Sequence, residues 1–253
     1  MSANDEVPST LAGDHVLFAI DYLVQDPVLD GVYDPRWVTL TADGTLVLPE
    51  RGTDAILGAT ETKLDHDGLK RAWSAILGSG VFADGNLRLP GFMEEKGPVT
   101  LDVFKVDDGT RSTRLTVASL GSEGVYPGDP PVPEGEMALR ASATRLMTDL
   151  RAMGGKDPWV PPALLMWWRP ELPADWDVTI VRWPVQLDLE TAGHDVEHPI
   201  WRRCIRLDDE DAAAVARFAH SLPIDHLVEQ GGVRYATVIR AIHADEIDRV
   251  ACP

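Results

Sequence analysis

Positive charge is scarce in this chain. Its 253 residues carry 23 Lys and Arg against 41 Asp and Glu, a net charge of −18. Such a surface repels phosphate backbones and anionic lipid heads, which excludes nonspecific binding to nucleic acid or membrane. The densest basic group, Arg202-Arg203 with Arg206, is followed at once by the acidic run Asp208 to Asp211. The excess is not a tail: residues 1–156 contribute −10 and residues 157–253 contribute −8. Long apolar runs are also missing, and none approaches the roughly 18 residues that span a bilayer. Met1 to Leu11 is polar and acidic, without the basic and apolar stretches of a signal peptide. Two expectations follow: a cytosolic protein, or a chain that starts after a removed leader.

Sequence signatures of catalysis are missing as well. No Gly-x-Ser-x-Gly occurs, and the Gly- and Pro-rich stretch Gly121 to Gly135 carries no Lys-Ser/Thr for a phosphate loop, so no cofactor is implied. Three stretches mix metal-ligand residue types. His194-Asp195-Val196-Glu197-His198 lies between Gly193 and Pro199, so a helix aligning the two imidazoles is not expected. His243-Ala244-Asp245-Glu246 falls where a hairpin should end. Asp65-His66-Asp67-Gly68 resembles the start of a calcium loop, but its twelfth position is the apolar Ile76. All three read as structural, and no metal is expected.

Cysteine is nearly absent, with only Cys204 and Cys252. Their spacing fits no zinc or redox motif. Either the two form a disulfide that pins the end of the chain, implying an oxidising compartment, or they are unrelated thiols.

What is present reads as folded protein. Apolar residues make up 44% and charged residues 25%, ordinary values for a globular chain. His15 to Leu23 and Ala59 to Leu64 read as strands, and Trp37 to Leu48 as a hairpin turning at Asp43-Gly44 in a type I′ turn. Asp65 caps a helix with Leu69, Ala72, Trp73, Ile76 and Leu77 on one face. A second hairpin flanks Asp107-Asp108-Gly109, and a second helix covers about Glu136 to Met153. After Lys156 to Pro162, a linker, come strands at Ala163 to Trp168, Asp177 to Val185 and Trp201 to Leu207. Asp208 caps a third helix, and a last hairpin turns at Gly231-Gly232.

Lys63-Leu64-Asp65 before the first helix and Arg206-Leu207-Asp208 before the third suggest a duplication at an offset of 143 residues. The expected fold is therefore α+β: a polar tail over 1–14, then modules over 15–156 and 157–253. Each module would be a small antiparallel sheet packed on one or two helices.

Six of eight tryptophans lie between Trp159 and Trp201. The consecutive pair Trp167-Trp168 must point to opposite faces of a strand. Trp167, Trp168, Trp176 and Trp183 are thus candidates for a binding surface between the modules, able to stack on a sugar or anchor a protein. The alternative is that these rings fill the core.

The arrangement resembles uncharacterised secreted or lipoprotein-like proteins of high-GC actinobacteria. The resemblance rests on Val16 to Tyr22, the Asp43-Gly44 hairpin, Gly80-Val81-Phe82, Trp183-Pro184-Val185, Arg203-Cys204, Tyr235 to Ile242, Asp245-Glu246 and terminal Cys252-Pro253. The excess of Arg over Lys, 18 to 5, agrees with a high-GC genome. The resemblance implies a Cys204–Cys252 disulfide and export to the cell envelope. The expected function is then a non-enzymatic envelope protein that binds a protein or a glycan. The alternatives are a hydrolase of envelope glycans or esters using a carboxylate pair, and a cytosolic accessory protein with free thiols.

Overall fold

The computed structural model describes residues 6–25, 36–49, 58–82, 84–87, 99–118, 120, 132–155, 157–171, 178–222 and 226–252. These form two compact units, one from residues 6–49 and 59–157 and the other from Gly58 and residues 158–252. Both are α+β, with sheets of eight and six strands and three α-helices among the described residues.

The strands of the first unit are β1 (Val16–Gln25), β2 (Arg36–Thr41), β3 (Thr45–Pro49), β4 (Ala59–Lys63), β5 (Gly85–Leu87), β6 (Val99–Asp107) and β7 (Ser112–Ala118). With β8 (Asp157–Pro158) they run in the order β5-β7-β6-β1-β2-β3-β4-β8. Helices α1 (His66–Gly78) and α2 (Glu134–Met153) pack side by side and supply Leu69, Trp73, Ile76, Ala143, Leu146 and Leu150 to one core. The strands answer with Phe18, Ile20, Val38, Leu40, Leu46, Phe104 and Val106. Alternation places Leu101, Val103 and Ala118 in a separate cluster. Buried Arg140 reaches out of α2 to the Ala118 carbonyl at 2.9 Å and is neutralised by Glu136 one turn earlier.

The Asp65 carboxylate accepts the Gly68 amide at 2.7 Å, so the first helix is capped as expected. The Asp43-Gly44 turn differs from expectation. Leu40 faces Leu46, which leaves Ala42, Asp43 and Gly44 in a three-residue loop, and only Gly44 has a positive φ, at 86°. This is the hairpin of a tight turn followed by a bulged glycine, not a two-residue type I′ turn. Asp43 gathers the loop together: it accepts the hydroxyls of Thr41 and Thr45 and the Thr45 amide, and it pairs with Lys63 of β4. The expected polar tail is also different, because Val7 and Leu11 pack against the first core.

The second unit contains β9 (Ala163–Pro170), β10 (Thr179–Arg182), β11 (His194–Asp195), β12 (Arg203–Asp208), β13 (His226–Gln230) and β14 (Val233–Ile242), in the order β10-β13-β14-β9-β12-β11. Helix α3 (Asp209–Ala219) lays Ala212, Val215, Ala216 and Ala219 on Leu164, Met166, Trp168, Val228 and Ile239. Asp208 stands at its N-cap but makes no capping bond, because its carboxylate accepts Arg206 Nε at 3.0 Å.

The sheets are larger than expected and not wholly antiparallel, since β5 pairs with β7 and β10 with β13 in parallel. A duplication is not shown. The similar Leu-Asp segments before α1 and α3 differ at the helix cap and lie in sheets of different strand order. Among the described residues no helix is long and apolar enough to cross a membrane. Most of the Gly- and Pro-rich stretch 121–135 and Trp176 lie outside the described residues.

Candidate functional site

The second unit holds both cysteines and most of the tryptophans. Cys204 is buried in β12 and is bonded to Cys252, with Cα atoms 5.9 Å apart. The segment that ends at Cys252 is held at further points. Arg206 donates to the carbonyl of Val250 at 3.1 Å and to that of Ile247. Arg240 pairs with Glu246 at 3.0 Å, and the second oxygen of Glu246 accepts the His243 amide at 3.1 Å. His243 stacks on Trp159 with ring centres 4.5 Å apart, and the Trp159 carbonyl lies 2.9 Å from His220 Nε2.

The candidate metal stretches have structural roles. His198 Nδ1 accepts the amides of Ile200 and Trp201, closing a turn. His194 sits in β11 opposite Cys204. Among the described residues no group of His, Cys, Asp or Glu is arranged to hold a metal.

The tryptophans divide. Trp168, 0% exposed, lies in the core below α3 and donates its indole N–H to the Leu189 carbonyl at 2.8 Å. Trp167, on the other face of β9, is 2% exposed. Neither indole is open to a ligand, so the stacking platform expected at these two positions is not there. The apolar strand context of residues 163–168 explains it: β9 is central, and both of its faces are covered. Trp183 is 5% exposed, packs edge-on against Phe218 at 5.3 Å and donates to the Leu187 carbonyl at 3.0 Å. It is nonetheless part of a cleft.

That cleft, about 520 Å³, is lined by Arg182, Trp183, Glu229, Gln230, Gly231 and Gly232. Its walls are the end of β10 and the β13–β14 hairpin. Gly231 and Gly232 have φ of 61° and 82°, the two left-handed positions of a type I′ turn. Gln230 fixes the neighbouring loop: its side-chain oxygen accepts the Leu189 amide at 2.7 Å and its nitrogen donates to the Leu187 carbonyl at 2.8 Å. Arg203 ties the same loop down through the carbonyls of Glu190, Thr191 and Gly193. The loop's acids act on Tyr235. Burial raises its phenol above the ordinary value, and the charges of Glu190 and Asp188 push it in the same direction.

Arg182 is exposed and makes no hydrogen bond or ion pair with any described residue. Its cross-strand neighbour Glu229 lies 3.7 Å from Arg234 instead. The sequence offered two signals for this cleft, the candidate Trp183 and the Gly231-Gly232 turn. It offered none for Arg182, because the parallel pairing of β10 with β13 is a long-range contact.

No family model matches the chain, and no curated protein matches it.

Proposed function

We propose that the protein is exported to the cell envelope and acts by binding a partner, without catalysis, through the rigid cleft of its second unit. The observation that carries this reading is the Cys204–Cys252 disulfide. It uses both cysteines of the sequence, and such bonds persist in oxidising compartments. The resemblance to secreted actinobacterial proteins supports the same compartment. The cleft supports binding, because the wall residues Gln230 and Trp183 are held by hydrogen bonds to the neighbouring loop and need little ordering on contact. Between the two partner classes, burial of Trp167 and Trp168 favours a protein over a glycan, which would need an open aromatic face.

The test is to recover the protein from its native host by cell fractionation and alkylate it before reduction. The expected result is an envelope or extracellular fraction with no alkylatable thiol. Recovery in the cytosol with both thiols free would overturn the reading.

A further inference from the structure

We infer that the cleft captures the terminal carboxylate of an extended peptide laid along the open edge of β10. This rests on the binding reading above and names its partner class.

The anion site comes from three neighbouring groups. Arg182 presents a guanidinium with no hydrogen bond or ion pair to any described residue. Gly231 and Gly232 line the same cleft, and their amides make no hydrogen bond with any described residue. A forked cation beside free main-chain N–H groups fits a carboxylate. Glu229, the one acid among the described residues lining the cleft, lies 3.7 Å from Arg234.

The edge comes from the topology. β10 ends the six-stranded sheet, with β13 as its one neighbour among the described strands. The Trp183 amide points to β13, donating to the Glu229 carbonyl at 2.9 Å. Main-chain groups alternate in direction along a strand, so those of Ile180 and Arg182 point away from the sheet. Ile180 is 43% exposed, and Val233 at the hairpin tip is 41% exposed, giving apolar contacts beside the charge. A peptide strand would take its main-chain bonds from Ile180 and Arg182 and end at the cleft.

Net charge decides between a terminal carboxylate and an acidic peptide. A chain at −18 repels an acidic segment as a whole. One carboxylate at the end of a neutral or basic peptide avoids that repulsion and still meets Arg182.

The experiment uses the oxidised full chain, isotopically labelled for NMR, and two pools of short random-sequence peptides. One pool has free C-termini and the other is amidated. Main chain and carboxylate are common to every member, so a mixed pool presents the probe at full concentration. The free-acid pool should shift the Gly231, Gly232 and Ile180 amide signals saturably, and the amidated pool should not. Arg182→Gln should weaken the response roughly tenfold with an unchanged melting temperature. Equal response to both pools, no response to either, or an unaffected Arg182→Gln protein would each overturn the inference. Glucuronate shifting the glycines where the free-acid pool does not would assign the cleft to a sugar acid and overturn the peptide. These outcomes are independent of the fractionation result: an exported, bridged protein that ignores both pools loses this inference and keeps its compartment.

Discussion

Gly193 shows how tightly the loop over Trp168 is specified at the level of one residue. Its φ is 66°, in the left-handed region where a Cβ is unfavourable. A Cβ there would also overlap the Cys204 carbonyl oxygen and come within 2.9 Å of the Trp168 ring. Neither neighbour can give way, since Trp168 is fixed by its bond to Leu189 and Cys204 by its disulfide. Gly193→Ala should therefore destabilise the protein by about 2 kcal/mol or more, combining backbone strain with overpacking. Equilibrium denaturation reads this directly, and a loss below a few tenths of a kcal/mol would mean that the loop relaxes freely. Gly231 is the internal comparison. It shares the positive φ, yet nothing lies within 4 Å of where its Cβ would stand. Gly231→Asn, which tolerates that conformation, should leave stability nearly unchanged.

Elements show which parts of the fold local chemistry could reveal. Asp65 and Asp208 occupy the same place in similar segments, and the sequence assigns both as caps. Only Asp65 makes the capping bond; Arg206 takes the carboxylate of Asp208. Asp65→Ala should cost about 1 kcal/mol and Asp208→Ala clearly less, measured by thermal unfolding of both variants. Equal losses would contradict the different roles. Strands, helices and the Gly231-Gly232 turn were legible because alternation, helical spacing and paired glycines act over a few residues. The three-residue Asp43-Gly44 loop was not, since its register follows from how β2 and β3 align across the sheet. The cleft was half legible for the same reason, with its turn written locally and Arg182 placed by a parallel strand 40-odd residues distant, Arg182 to Glu229. The C-terminal segment is the third case. It is anchored by Cys252, Arg206 and Glu246, of which the sequence pointed to the cysteine. The bridge spans 48 residues, which loop-closure entropy converts to about 4 kcal/mol. Cys252→Ser should lose a large part of that in denaturant unfolding without reductant, and added reductant should bring the wild type to the same midpoint. Identical midpoints for oxidised and reduced wild type would show that the other anchors suffice.

At the scale of the whole molecule, acidity has two opposing consequences for stability. A net charge of −18 repels itself, and protonating surface carboxylates relieves that. Some carboxylates, however, are bound more firmly as anions in the folded protein. Partial burial of Asp43 would raise its carboxyl, but Lys63, the hydroxyls of Thr41 and Thr45 and the Thr45 amide outweigh it and hold the group well below its ordinary 3.8. Asp108 behaves alike: burial is overcome by the Thr110 hydroxyl, the amides of Thr110 and Arg111, and the Arg111 charge. A depressed folded-state value means that stability is complete above the unfolded value of 3.8 and is lost as the pH falls below it. Tyr235 sets the opposite limb. Its raised phenol favours the folded state below the unfolded value of 10.0, and that contribution is lost as the pH rises past it. Denaturant midpoints across pH should therefore form a plateau with an acid shoulder and an alkaline shoulder. Added salt should raise the plateau by screening self-repulsion while weakening the exposed Asp43–Lys63 pair. Asp43→Asn removes one titrating group from the acid limb and should flatten it, at the cost of a lower plateau. Tyr235→Phe should do the same to the alkaline limb, with little cost at neutral pH. An acid limb of unchanged steepness in Asp43→Asn would show that general charge, and not the hairpin carboxylate, governs acid unfolding.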